Sequence, residues 1–189
     1  MITKLTKKII IVLLFLSTTL YAQNKKKSKI DFVNMTSLSI VKNTESYFTR
    51  YSTDKDRSDK GFSFDLNTIY GIRFFNHVAI SAGISLNYDI DQTFFSTPYI
   101  VDLRVFTNEN GGNRFFAYLQ TGKNIKWSDS FNGDGFSAKM GVGIILKYDQ
   151  HISYYVDLLK KSNEIEIEKS KDKGWYKTTG FGISLGLIF

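Results

Sequence analysis

The sequence predicts an all-β chain folded as an eight-stranded antiparallel up-and-down transmembrane β-barrel. Three observations predict it. Apolar and polar residues alternate in segment after segment from residue 30 onward, the face opposite the apolar one is rich in glycine and serine, and an export signal opens the chain.

The export signal comes first. Lys4, Lys7 and Lys8 give a positive start, residues 9–16 an unbroken apolar run, and Leu20-Tyr21-Ala22-Gln23 a cleavage site after Ala22. A spanning helix needs about 20 apolar residues, and this run already stops at Ser17. Residues 1–22 are therefore expected to be a cleaved signal peptide, residues 23–29 a basic disordered tail, and residues 30–189 the barrel.

Residues 30–41 hold the first strand, with a weak alternation. In residues 61–75, Phe62, Phe64, Leu66, Tyr70, Ile72 and Phe74 share one face and Ser63, Asp65, Asn67, Gly71 and Arg73 the other, with Thr68 and Ile69 as misfits. After a tight turn at Asn76-His77 the period restarts. Val78, Ile80, Ala82, Ile84, Leu86, Tyr88 and Ile90 then face away from Ala79, Ser81, Gly83, Ser85, Asn87 and Asp89.

The fourth strand sets Tyr99, Val101, Leu103 and Val105 against Asp102 and Arg104. Residues 114–125 form the fifth, whose outward parity the sequence leaves open. The sixth sets Phe136, Ala138, Met140, Val142, Ile144, Leu146 and Tyr148 against Ser137, Lys139, Gly141, Gly143 and Lys147. The seventh alternates Ile152, Tyr154, Val156 and Leu158 with Ser153, Tyr155 and Asp157. The eighth alternates Phe181, Ile183, Leu185, Leu187 and Phe189 with Gly182, Ser184 and Gly186.

Strands of about ten residues are long enough to cross a bilayer when tilted. Connections after the second, fourth and sixth strands are shorter, and most of the others longer and more polar, which is the pattern of periplasmic turns and outer loops. Residues 107–113 and 91–97 fit that pattern least well.

Alternation alone does not say whether the apolar face meets lipid or lines a ligand cavity, as in a soluble lipocalin-like barrel. The other face favours lipid. Gly83, Gly141, Gly143, Gly182, Gly186 and several serines suit the cramped lumen of eight strands. Turned outward, Arg73, Arg104 and Lys139 would cost about 2–4 kcal/mol each near the bilayer midplane. Placed inward, Asp65, Arg73, Asp102, Arg104, Lys139 and Asp157 form a lumen charge network of neutralising pairs. Aromatic girdles are expected at Phe74, Phe75, Phe106, Phe115, Tyr148 and Phe189 on the periplasmic side. On the outer side they are expected at Phe62, Phe94, Phe95, Trp127, Phe136, Trp175 and Tyr176.

The C-terminal GFGISLGLIF ends on Phe189 and looks like the signal by which the barrel assembly machinery recognises outer-membrane barrels. Phe181, Ile183, Leu185, Leu187 and Phe189 carry it. With the YAQ signal end, FFNHVAISAGISLNYD, STPYIVDLRVF and RFFAYLQTGKN, nearly the whole mature chain resembles the outer-membrane β-barrel family abundant in Bacteroidetes. That resemblance implies a fold and a cell outer membrane location, and it carries over no catalytic residue.

The composition bounds the chemistry. The formal charge of +7 comes from Lys4, Lys7, Lys8, Lys25, Lys26, Lys27 and Lys29; the remaining 18 basic residues balance all 18 acids, which argues against nucleic-acid binding. Cysteine is absent, so disulfides, thiolate metal clusters and lipidated cysteine anchors are excluded. His77 and His151 fall at periplasmic turns, where serine chemistry would lack its base at the outer leaflet.

Asp89 and Asp91 read as lumen or loop polar groups. Asp54, Asp56 and Asp59 are interleaved with Lys and Arg and miss the calcium-loop pattern. Gly111, Gly112, Gly133 and Gly135 read as turn glycines. Glu164, Glu166 and Glu168 alternate with isoleucines and extend the last two strands as a hairpin above the membrane, an edge suited to strand addition.

No catalytic residue, cofactor or metal is therefore expected. The expected partners are outer-membrane lipid, the barrel assembly machinery and a protein at the outer loops, with a structural or surface-interaction role. A narrow channel or a soluble periplasmic lipid-binding barrel stays open as an alternative.

Overall fold

Bulky residues at every second position favour extended backbone with one apolar face, and a sheet built that way removes its exposed edges by closing on itself. The computed structural model describes residues 30–50, 55–57, 60–90, 94–107, 115–126, 134–148, 152–169 and 172–189. The expected signal peptide and basic tail lie outside these residues, as do Asp54, Asp59, Asp91, Gly111, Gly112, Trp127, Gly133 and His151.

Ten strands follow one another: β1 (Ile30–Arg50), β2 (Lys55–Arg57), β3 (Phe62–Phe74), β4 (Val78–Asp89), β5 (Phe94–Ser96), β6 (Pro98–Phe106), β7 (Phe115–Asn124), β8 (Gly135–Tyr148), β9 (Ser153–Lys169) and β10 (Asp172–Ile188). Eight of them form the barrel, in the antiparallel order β1-β3-β4-β6-β7-β8-β9-β10, and β10 pairs back onto β1 to close it. Among the described residues, the short β2 pairs with β1 alone and β5 with β4 alone. No helix occurs among the described residues.

The fold class is thus the one the alternation predicts, an all-β closed eight-stranded antiparallel barrel. Stepping from Thr36 through its partners Thr68, Ile84, Tyr99, Lys123, Phe136, Glu164 and Lys177 leads back to β1 at Tyr47, not at Thr36. Such a stagger tilts the strands by about 35–45° to the barrel axis.

One end carries the Phe74–Val78 turn and both ends of the described chain; we call it the short-turn end. The opposite, long-loop end is taller on one side, because β9 and β10 stay paired from Ser153↔Ile188 up to Lys169↔Asp172, and β1 follows them to Arg50. The strand expected over residues 30–41 therefore runs to Arg50. A bulge between Asn43 and Glu45 shifts the side-chain phase by one residue there, which ends the sequence alternation without ending the strand.

The residues that looked like misfits in β3 keep phase. Ile69 points inward and is fully buried, while Thr68 points outward and hydrogen-bonds across to Thr36 at 3.3 Å. Two of the expected girdle aromatics do not face out: Phe106 and Tyr176 are buried inside the barrel, in the parity of Arg104 and Thr178. Phe62, Phe75, Phe95, Phe115, Phe136 and Phe189 are exposed at the strand ends, and Phe74 and Trp175 are half-buried. The side chains of Phe94 and Tyr148 lie outside the described set.

Candidate functional site

Period-2 geometry sends one residue of each pair into the lumen, so eight strands bring distant polar residues onto a common axis. At mid-barrel, Asp65 of β3 is fully buried and forms a salt bridge with Lys139 of β8. Lys161 of β9 stands 3.6 Å from the same carboxylate, and Ser85 of β4 donates a hydrogen bond to it. Lys161 also donates to Asn87. One carboxylate thus joins the β3–β4 pair to the β8–β9 pair across the lumen.

Toward the long-loop end, Asn43 donates to Asp89 at 3.1 Å. Asn43, Asn87, Asp89, Lys161 and Asn163 surround a water-sized gap that Val41, Ile165 and Tyr176 also line. Toward the other end, Asn67 donates to Gln120 at 3.1 Å, Gln120 to Asp102 at 3.4 Å, and Arg104 bridges to Asp102 at 3.3 Å.

Arg104 then turns its guanidinium into aromatic faces. Its Cζ lies 4.4 Å from the ring centre of Tyr118, 4.7 Å from Phe116 and 5.5 Å from Tyr155. A desolvated cation against an aromatic face gains about 2 kcal/mol. Phe116 meets Tyr155 edge-on at 5.1 Å and Phe106 at 6.0 Å, so the rings pack as one plug across the short-turn end.

Three lumen glycines make room for that plug. A Cβ on Gly141 would meet Tyr118 at 2.6 Å, one on Gly143 would meet Phe116 at 2.2 Å, and one on Gly186 would meet Tyr155 at 2.2 Å. The small residues of the inner face are therefore sockets for their large register partners on the adjacent strands, consistent with packing to interior density.

All six residues expected in the lumen network point inward, but they pair differently from one another. Asp65 meets Lys139 and Asp102 meets Arg104, as the charges suggest. Asp157 instead accepts a hydrogen bond from Tyr118 at 3.1 Å. Arg73 bridges to Asp31 at 3.7 Å beside Phe106, near the short-turn mouth and apart from the mid-barrel cluster.

Sequence reasoning missed Lys161, Asn87, Gln120, Tyr118 and Tyr155 as network members. Lys161 was legible in principle, because continuing the parity of Tyr155 and Asp157 along β9 puts it inward. The open parity of residues 114–125 resolves with Phe116, Tyr118, Gln120 and Asn124 inside and Phe115, Ala117, Leu119, Thr121 and Lys123 outside.

The outer wall is the mirror of this. Leu38, Ile80, Ile84, Leu103, Leu119, Val142, Leu158 and Leu185 all project from the barrel and remain about half exposed or more, from 47% at Leu103 to 63% at Leu185. Of the C-terminal set, Phe181, Ile183, Leu185 and Phe189 are exposed and Leu187 half-buried. The terminal Phe189 exchanges backbone hydrogen bonds with Asn34, at 2.8 and 3.3 Å, inside the seam that closes the barrel.

No family model and no curated protein matches the chain. Among solved structures it is similar to the outer membrane protein AlkL in DMPC lipid bilayers, with a TM-score of 0.45, 11% identity, and coverage of 89% of this chain and 94% of that one. It is also similar to the open-gate secretin InvG (residues 176 to the end) of the Salmonella SPI-1 type III secretion injectisome. There the TM-score is 0.25 and the identity 10%, over 94% of this chain and 64% of that one.

Proposed function

We propose that the chain is an integral outer-membrane β-barrel with a filled lumen, of the kind its motifs resemble in Bacteroidetes, acting at the surface through its long-loop end. The observation that carries this reading is the apolar outer wall. Aliphatic side chains surround the barrel on all eight barrel strands while its interior holds buried charged and polar residues packed among aromatic and apolar ones, the inverse of the polar exterior of a water-soluble protein. Each large aliphatic side chain left in water would forgo about 1.5–3 kcal/mol of burial, a cost that a hydrocarbon surrounding removes.

The filled interior supports a non-conducting role. The Asp65 cluster and the Arg104 plug occupy successive levels of the lumen, and breaking either leaves buried charge without a partner. The β9–β10 hairpin, rising beyond the apolar wall, is then the element that meets a protein partner. The exposed apolar face of β10 and its seam with β1 suit recognition of Phe181, Ile183, Leu185, Leu187 and Phe189 by the barrel assembly machinery.

The test is to isolate outer membranes and run the protein on a denaturing gel with and without boiling, then to reconstitute it in planar bilayers. Co-sedimentation with outer membrane, a heat-dependent shift in mobility and no steady conductance are expected. Recovery in the soluble fraction with no shift would refute the membrane assignment; a steady open conductance would refute the sealed lumen.

A further inference from the structure

Lys42, Phe181 and Lys160 stand side by side on β1, β10 and β9, since Phe181 pairs with Lys42 on one flank and with Lys160 on the other. All three point outward and are exposed. The next outward row toward the short-turn end is Ile40, Ile183 and Leu158, and the row below it is Leu38, Leu185 and Val156. Above Phe181 the outward residues become Thr179 and Ser162. The three side chains therefore mark the line where the wall changes from aliphatic to polar.

These two lysines differ from Lys123 and Lys177, which also point outward at that end. Lys123 is paired with Asp134 at 3.2 Å, and Lys177 with Glu164 at 3.6 Å. Among the described residues, neither Lys42 nor Lys160 forms an ion pair, and Lys160 Nζ lies 5.6 Å from the ring centre of Phe181. The next outward acid along β1 is Glu45, on the far side of the bulge.

We propose that this row binds an anionic membrane lipid, with its phosphate between Lys42 and Lys160 and its acyl chains along Ile40, Ile183 and Leu158. Neighbouring strands lie about 4.8 Å apart, so the two lysine Cα atoms are roughly 10 Å apart and their long side chains converge on one phosphate above the ring. The aliphatic rows directly beneath select a phosphate that carries chains over a free one. The site rests on the membrane reading above.

Native mass spectrometry of the detergent-folded barrel, titrated with phosphatidylglycerol, phosphatidylcholine or inorganic phosphate, tests it. Two lysines at about fivefold each predict roughly twenty-five-fold tighter retention of phosphatidylglycerol than of phosphatidylcholine, whose choline cancels the charge. Lys42→Gln with Lys160→Gln abolishes that preference, and Lys160→Gln alone gives an intermediate one. Lys123→Gln with Lys126→Gln, which removes equal charge at the upper end of β7, away from the site, leaves it intact.

A preference that survives loss of Lys42 and Lys160, or equal retention of inorganic phosphate, overturns the site. The heat-dependent gel shift is read on every variant. A shift without lipid preference defeats the lipid site alone, whereas no shift in the parent protein defeats the membrane reading and the site with it.

Discussion

Asp65 shows how much can depend on one side chain. Its carboxylate sits between Lys139 and Lys161 with no access to solvent, so Asp65→Ala would strand two buried ammonium groups. Removing one partner of a buried pair costs about 3–5 kcal/mol, expected as a lower urea midpoint for loss of the heat-shiftable band. Lys139→Met should cost less, because Lys161 remains 3.6 Å from the same carboxylate. Gly186 makes the complementary case for volume. Gly186→Val drives a side chain into Tyr155 and should destabilise by about 1–3 kcal/mol in the same assay, an effect that Tyr155→Ala in the same chain would largely relieve.

Among the elements, the β3–β4 turn carries local strain. His77 N donates to Phe74 O at 2.9 Å, and the two residues between them, Phe75 and Asn76, have φ of 51° and 60°. Both central positions of such a tight hairpin favour asparagine or glycine, and a left-handed phenylalanine costs about 1–2 kcal/mol. Phe75→Asn is therefore expected to raise stability by up to about 1 kcal/mol, seen as slower unfolding in urea. The strands themselves were largely legible, because apolar period 2 is the direct image of a wall with two different sides. What was not legible has local causes. The bulge at Asn43 and Glu45 breaks the period and hid the upper half of β1. In β7 both parities carry aromatics, and only the glycine sockets of β8 and β10 decide that Phe116 and Tyr118 lie inside with Tyr155. Charge signs gave the inward facing of Asp65, Asp102 and Arg104, but not which pairs form, since the pairing of β3 with β8 and β9 across the lumen depends on the barrel's stagger.

For the whole molecule, the reading turns on an interior more polar than its exterior. Leu103 faces outward on β6, and Leu103→Arg is expected to cost about 2–4 kcal/mol in bilayers of matched thickness, measured as the equilibrium folded fraction. In a soluble barrel the same substitution at a half-exposed site would be nearly silent, so the comparison also separates the two architectures.

The β9–β10 hairpin adds a vertical dimension to this. Along one continuous ladder its outward residues pass from Leu158 and Ile183 through Lys160 and Phe181 to Ser162, Thr179, Glu164 and Lys177, while Ile165 and Tyr176 turn inward above the polar lumen. A membrane-embedded hairpin graded in this way acts as a depth gauge. On the proposed membrane reading, sinking the barrel by one outward pair would immerse lysine ammoniums and raising it would bare leucine to water, so two strands would set the immersion level. Insertions or deletions of two residues in the hairpin would preserve side-chain facing yet leave the molecule floating at the wrong height.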